Sequence, residues 1–433
     1  MKKINVKTMK IFASLIMSVA AAVAFAAPEF VCKTDKDPLS YACGEKMNFK
    51  ISLVENGKAV EGVALKWSMH SDDGKIARGG TAVSAKEPLE LSAKCDVPGF
   101  VFVKVFALDK DGKNIKFTRK SDKRVLDVSF YGGAGADVEK IATSEKEPAD
   151  FDAFWARQLK LLSKNELHAK QQLLPEYSKG DFNTYELTVA SRSLPAPAKA
   201  FLTVPKGAVA KSLPMRVEML GYGAGRVLPS PHKDCISVKI ERHSYELLRE
   251  PEYYNKLKNG ALKRFGLDAK GNEDPENSYF KFMILRDLLV MEYVKRGVAE
   301  WNGRDLSVAG GSMGGFQAIF VAGLDKDVTL CEPHIPWMTD LWASELSKRQ
   351  PSVFRPDYTP AIRYFDSTFM VKRVKCPVKI TAWLGDYVCP PAGIMALYNN
   401  ANAPKSISFG QNGIHGGFLG TDAKIQYSKL EKK

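Results

Sequence analysis

Asp305-Leu306-Ser307-Val308-Ala309-Gly310-Gly311-Ser312-Met313-Gly314-Gly315 is the stretch from which the fold is read. An apolar run leads directly into the pattern G-x-S-x-G, with Gly310, Ser312 and Gly314 in the fixed positions. Phe316, Ile319, Phe320 and Gly323 continue beyond it as a helix. With glycine at its usual frequency, the pattern alone arises by chance in roughly one chain of this length in six, so its context carries the weight. A strand that turns this abruptly into a helix strains its central residue, and small neighbours are needed to avoid clashes. The serine hydroxyl is left exposed at a helix N-terminus, where the helix dipole and the Met313 amide face developing negative charge. The competing reading is a glycine-rich turn with only a structural purpose.

A serine nucleophile needs a base, and the base needs an orienting carboxylate. On a fold of this kind they follow in the order serine, acid, histidine, each at the C-terminal end of a strand. Beyond Ser312 the chain offers two histidines, His334 and His415. His415 sits in Gly413-Ile414-His415-Gly416-Gly417, just after the strand-like Lys405 to Phe409, and is the favoured base. Asp386 ends the apolar run Val378 to Gly385 and is the favoured acid. Glu332 competes with it, and Asp340 and Asp366 are less well placed. A second oxyanion donor is expected at an earlier strand-to-loop junction. Val217 to Gly225 supplies one, with the Tyr222 amide beside that of Met313; a glycine-rich turn around a buried tyrosine is the other reading. Trp337, Trp342 and Trp383 are candidates to line the site.

Around these residues, strand-like and helix-like segments alternate from about 185 onward. Strands are predicted over 185–190, 199–204, 214–220, 235–240, 305–309, 378–383 and 405–409, and helices over 279–296, 314–323 and 391–401. This is the pattern of an α/β domain with a mostly parallel sheet. Residues 28–130 instead alternate with period two: Val63, Leu65, Trp67 and Met69 on one face, and likewise Met47, Phe49, Ile51 and Leu53. With their Asn-Gly, Asp-Gly and Pro-Gly turns they predict a small Ig-like β-sandwich. Tyr131 to Ala136, rich in glycine, reads as a flexible boundary. The expected organisation is a signal peptide over 1–26, the sandwich over 27–130, a linker over 131–147 and the α/β domain over 148–433.

The signal is read from Lys2, Lys3, Lys7 and Lys10, the apolar Ile11 to Phe25, and the Ala24-Phe25-Ala26 cleavage site. Export to the periplasm or beyond is therefore expected, with no membrane association after cleavage. Of 433 residues, 45% are hydrophobic and 26% charged, which excludes a disordered or collagen-like chain. The net charge is +14, but the lysines are scattered, so the excess reads as a solubilising surface and not as a nucleic-acid footprint. Seven cysteines at 32, 43, 95, 235, 331, 376 and 389 include no C-x-x-C and no metal-ligand spacing. No metal is expected. A Cys32–Cys43 disulfide is the first pairing an exported chain suggests.

Taken together, Asp150-Phe151-Asp152-Ala153-Phe154-Trp155, the Gly221-Tyr222 turn, Gly310 to Gly315, and Asp386-Tyr387-Val388-Cys389-Pro390-Pro391 through Tyr398-Asn399 resemble the acetylxylan esterase / cephalosporin-C deacetylase family of carbohydrate esterases. The resemblance runs over roughly 138–425. It implies an α/β-hydrolase fold, removal of acetyl groups from sugar hydroxyls and no cofactor. It places the family's nucleophile, acid and base on Ser312, Asp386 and His415, and its oxyanion amides on Tyr222 and Met313. The chain departs from the family at Arg242-His243-Ser244, where Arg-Gly-Gln is usual, at Met313 in place of Gln, and at His415-Gly416 in place of His-Glu. The expectation is an exported serine esterase acting on acetylated oligosaccharide or polysaccharide, with a homo-oligomer left open through the family's hexameric ring. A prolyl-oligopeptidase-type peptidase and an inactive hydrolase-fold glycan-binding protein are the alternatives.

Overall fold

The computed structural model describes residues 27–164, 166–347, 349–350, 352–421 and 425–432. The expected signal, residues 1–26, lies outside the described residues. The larger part of the chain is built on a ten-stranded sheet. Its strands are β1 (Leu167–Leu173), β2 (Phe182–Ser191), β3 (Ala198–Pro205), β4 (Leu213–Met219), β5 (Ile236–Glu241), β6 (Trp301–Gly311), β7 (Leu330–His334), β8 (Val378–Trp383), β9 (Lys405–Gly410) and β10 (Tyr427–Lys432). They lie side by side in the order β1-β2-β3-β5-β4-β6-β7-β8-β9-β10. The six strands from β5 to β9 in that order run parallel, and antiparallel pairs close both ends.

Parallel neighbours need a crossover, and here helices supply it. Helix α1 (Phe151–Lys164) precedes the sheet, α2 (Tyr279–Gly297) joins β5 to β6, α3 (Met313–Leu324) follows β6, and α4 (Pro391–Asn400) joins β8 to β9. Ten of the twelve residues of α3 are buried, from Met313 to Ala322, as expected of a helix that is apolar all round. The predicted strands and helices fall on β2 to β6, β8, β9, α2, α3 and α4, with ends shifted by a few residues. β1 has no clear apolar alternation because it is an exposed edge strand.

Residues 29–136 form two four-stranded antiparallel sheets. One holds Glu29–Thr34, Met47–Glu55, Lys58–Ala59 and Leu89–Ala93; the other holds Ala64–Ser71, Ala77–Val83, Gly99–Leu108 and Ser129–Ala136. Met47, Phe49, Ile51, Leu53, Leu65, Met69, Val101 and Phe130 form a second core with their partners. Phe100 and Phe102, on the same strand as Val101, belong instead to the core of the ten-stranded sheet, so this unit is packed onto the larger one.

Two expectations are corrected. Tyr131 to Ala136 is not a flexible boundary: it lies within the strand Ser129–Ala136, in register with Gly99–Leu108. Its glycines answer a lack of space, since a Cβ on Gly133 would lie 2.2 Å from the Val101 carbonyl oxygen. The Cys32–Cys43 disulfide is absent, and all seven cysteines are thiols. Cys32 points into the second core, where burial pushes its thiol up to about 12, while Cys43 faces Asp137.

Candidate active site

Because the central strands are parallel, their C-terminal ends open at one edge of the sheet, where α/β folds gather their functional loops. Ser312 follows β6 and opens α3. It has φ 56° and ψ −119°, a strained conformation for a side chain, costing about 1–3 kcal/mol. The surrounding backbone holds it there: its N–H donates to the His334 carbonyl at 2.9 Å, and its carbonyl accepts from Trp337 and Phe316, each at 3.1 Å. The flanking glycines are required by contact. A Cβ on Gly310 would lie 2.5 Å from the Gly314 carbonyl, and one on Gly314 2.2 Å from the Met219 oxygen.

Asp386 lies just past β8 and His415 just past β9. His415 Nε2 is 3.0 Å from Ser312 Oγ, and its Nδ1 is 3.0 Å from Asp386 Oδ2. The other carboxylate oxygen of Asp386 accepts the N–H groups of Val388 at 2.8 Å and Cys389 at 2.9 Å. A fully buried carboxylate so fixed orients the imidazole with its proton on Nδ1, leaving Nε2 free to take the serine proton. The structure therefore brings together Ser312, Asp386 and His415.

The Gly221-Tyr222 turn, past β4, meets this group. A Cβ on Gly221 would lie 3.3 Å from the Gly311 oxygen and 3.8 Å from Ser312 Cβ. Tyr222 belongs to this turn and Met313 follows Ser312 at the start of α3, and neither amide donates to a backbone carbonyl in the surrounding turns. Gln317, buried on α3, ties the two together by donating to the Leu220 carbonyl at 3.0 Å and the Met313 carbonyl at 2.9 Å.

The competing candidates have other occupations. His334 holds Thr381 Oγ1 through Nδ1 at 2.6 Å. Glu332 pairs with Arg216 at 2.5 Å. Asp340 accepts from Ser144 and pairs with Arg349, and Asp366 caps the short helix that begins at Ser367. The three tryptophans are buried. Trp337 meets Ser312 through its backbone and donates its indole N–H to the Phe354 carbonyl at 2.6 Å. Trp342 is covered by Arg355, and Trp383 packs against Phe418 and Tyr427.

Several further residues of the site are given no role by the sequence. Cys389 is fully buried beside Ser312, and burial holds its thiol well above the ordinary range and so protonated. The donor atoms of Asp386, Cys389 and His415 lie within 4.8 Å of one another. Behind Tyr222, Arg242 donates to the Gly223 carbonyl, and Glu241 receives the N–H groups of His243 and Tyr245. Burial raises the Glu241 carboxyl against the pull of Arg242. It also drives the His243 imidazole down to about 3, with Arg242 and Arg286 adding to the effect, so this ring is neutral at physiological pH.

The acid and base loops are also fastened to the N-terminal unit, through its sheets and through the hairpin between Lys116–Thr118 and Val125–Asp127. Arg124 donates to the Gly416 carbonyl at 2.9 Å and Arg119 to the Phe418 carbonyl at 2.5 Å. The Gln411 side chain makes paired bonds with the Gly133 backbone, at 3.1 Å and 2.7 Å. Tyr131 packs against Gly385, the residue before Asp386. These contacts join residues more than 250 positions apart, beyond the reach of any local pattern.

The acetyl xylan esterase family model matches residues 136–352 and 355–430. The acetyl esterase Axe7A of Xylanibacter ruminicola is 26% identical over 288 residues, covering 63% of this chain and 64% of that protein. The chain thus matches slightly less than two thirds of that relative's length. Among solved structures, an acetyl xylan esterase from Paenibacillus sp. R4 superposes with a TM-score of 0.52 at 22% identity, covering 65% of this chain and 94% of its own. That likeness identifies the fold of the larger unit as an α/β-hydrolase. Among the described residues no helix is long and apolar enough to cross a membrane.

Proposed function

The chain belongs to the acetyl xylan esterase family, and from that premise we propose that it is an exported serine carboxylesterase that removes acetyl groups from acetylated, xylan-type oligosaccharides. The observation that carries the reading is the continuous relay from Ser312 through His415 to Asp386, with both links at 3.0 Å. Ser312 Oγ attacks the ester carbonyl carbon as His415 Nε2 takes its proton. The Tyr222 and Met313 amides hold the oxyanion of the tetrahedral intermediate. Collapse expels the sugar hydroxylate, which leaves as the alcohol after taking the proton from His415, and the acyl group stays on Ser312. Water then attacks the acyl-enzyme, giving its proton to His415, and acetate departs as Ser312 recovers its hydrogen. The neutral His243, the buried Arg242 that donates to the Gly223 carbonyl and the buried Glu241 that accepts the His243 and Tyr245 N–H groups support the Tyr222 loop and take no proton in these steps.

In this reading residues 1–26 are a cleaved signal, the N-terminal pair of sheets is an Ig-like sandwich, and the hydrolase unit carries all five reacting groups. The test is acetate release from p-nitrophenyl acetate and from acetylated xylo-oligosaccharide, with Ser312→Ala alongside. Serine-dependent release from both supports the reading. Release from the small ester alone keeps the esterase and removes the carbohydrate assignment. No serine-dependent release from either overturns it.

A further inference from the structure

The outer face of the second N-terminal sheet does not end where it meets the hydrolase. In the register of this sheet Tyr131 stands opposite Lys104, and Ser129 opposite Phe106. Lys104 and Phe106 lie on the face that carries Phe102, which the hydrolase core covers. Past that covered region the face continues as Tyr131, Lys104 and Phe106, all half-buried. Tyr387, the residue after Asp386, leans onto the same group: its ring centroid is 6.3 Å from that of Tyr131. Phe106 meets Tyr131 edge-on at 5.7 Å. The ammonium of Lys104 sits over both tyrosine rings, 5.4 Å and 5.7 Å from their centroids.

Lys104 is unusual in what it lacks. It forms no ion pair with any carboxylate among the described residues, and burial is the sole cause that shifts its ammonium, downward. A desolvated cation normally acquires an anionic partner, because removing its water is costly. Two aromatic faces offset that cost only in part. The hydroxyls of Tyr131 and Tyr387 also have no hydrogen-bond partner among the described residues. A cation, two free hydroxyls and aromatic faces thus converge beside the acid of the relay. Aromatic rings pack against the apolar faces of sugars, and a second cation, the exposed Lys66, stands opposite Phe106 on the same face.

We propose that Lys104, Tyr131, Phe106 and Tyr387 form a substrate subsite for a carboxylate-bearing sugar, a uronic acid residue carried on the acetylated glycan whose ester reaches Ser312. The carboxylate completes the charge of Lys104, the tyrosine hydroxyls bond the sugar, and the rings carry its apolar face. The N-terminal unit then selects substrate for the hydrolase unit. The inference rests on the carbohydrate-esterase reading above, and the experiment separates the two.

Full-length Ser312→Ala, which cannot turn substrate over, is titrated by calorimetry with xylotetraose and with xylotetraose bearing one glucuronic acid branch, at low and at high salt. The acidic sugar is expected to bind about tenfold tighter at low salt, the gain of one charge-assisted contact, and to lose that margin at high salt. Lys104→Gln in the same background erases the preference, and Lys104→Arg retains it, which separates loss of charge from loss of fold. Equal affinity for the two sugars, binding of neither, or a preference that survives Lys104→Gln overturns the subsite. Acetate release by the unaltered protein from p-nitrophenyl acetate is read in parallel, so failure of the esterase reading is registered independently.

Discussion

Replacing Gln411 by alanine tests whether the N-terminal sheets hold His415, the proposed base, in place. Gln411 stands four residues before His415 and is 8% exposed. Its side chain accepts the Gly133 N–H and donates to the Gly133 carbonyl, and Gly133 belongs to a strand at the edge of its sheet. The substitution removes both partners and leaves a buried donor and a buried acceptor unpaired. At about 1–3 kcal/mol for each orphaned group, with the lower end expected where water can enter, the loss is about 3 kcal/mol. For a chain of 433 residues, at roughly 2.1 cal/mol/K of unfolding entropy per residue, this corresponds to about 3 °C in Tm. The effect on rate follows from geometry. Arg124 and Arg119 still hold Gly416 and Phe418, so the loop loosens without detaching, and a displacement of the imidazole well below 1 Å is expected to cost about tenfold in kcat. Thermal melting and initial rates on p-nitrophenyl acetate measure the two effects together. An unchanged Tm with unchanged kcat would refute the reasoning. So would a benign Gln411→Glu, which keeps the acceptor but loses the donor and buries a charge.

Three further outcomes are expected. Asp386→Asn should leave the fold intact and lower kcat by about 10³–10⁴-fold, because an amide no longer fixes the proton on Nδ1; steady-state rates and a circular dichroism spectrum check it. Gly314→Ala places a Cβ 2.2 Å from the Met219 oxygen, so the turn or β4 must shift; a loss of about 2–3 kcal/mol and of most activity should appear in denaturant melts and rates. His243 should make the fold acid-sensitive. Its folded pKa, about 3 against 6.5, means that the stability it contributes is complete above about pH 6.5 and is lost as pH falls toward 3, at about 2 kcal/mol by pH 5. Asp72 and Asp366, both raised to about 6 by burial, act in the opposite sense. The check is therefore the difference in stability between the parent and His243→Phe from pH 7 to 5, which a flat difference would contradict.

What the sequence discloses and what it conceals follow one physical distinction. Gly310, Ser312 and Gly314 are legible because the backbone around the strained serine leaves no room for a Cβ on either glycine, a constraint set within five residues. Met47, Phe49, Ile51 and Leu53 are legible because one sheet face is buried, and all four are at most 2% exposed. Asp386 and His415 are legible through their positions after apolar runs, which a parallel sheet translates into one edge. Glycine in Tyr131 to Ala136 misleads because its presence signals either freedom or crowding, and only the approach of Val101 and Gln411 decides for crowding. The tryptophans mislead in a related way: large rings suit both a sugar platform and a core, and here the core takes them. The clamp of Arg119, Arg124 and Gln411 has no local signature, since its partners are set by how two units dock. The family match begins at residue 136, where the last strand of the N-terminal sheets ends. The arginines, Gly133, Tyr131 and Lys104 that reach the acid and base loops all lie before it. Ser312, Asp386, His415 and the Tyr222 and Met313 amides thus fall within the matched region, while the proposed subsite around Lys104 is supplied in part by residues the family pattern does not cover.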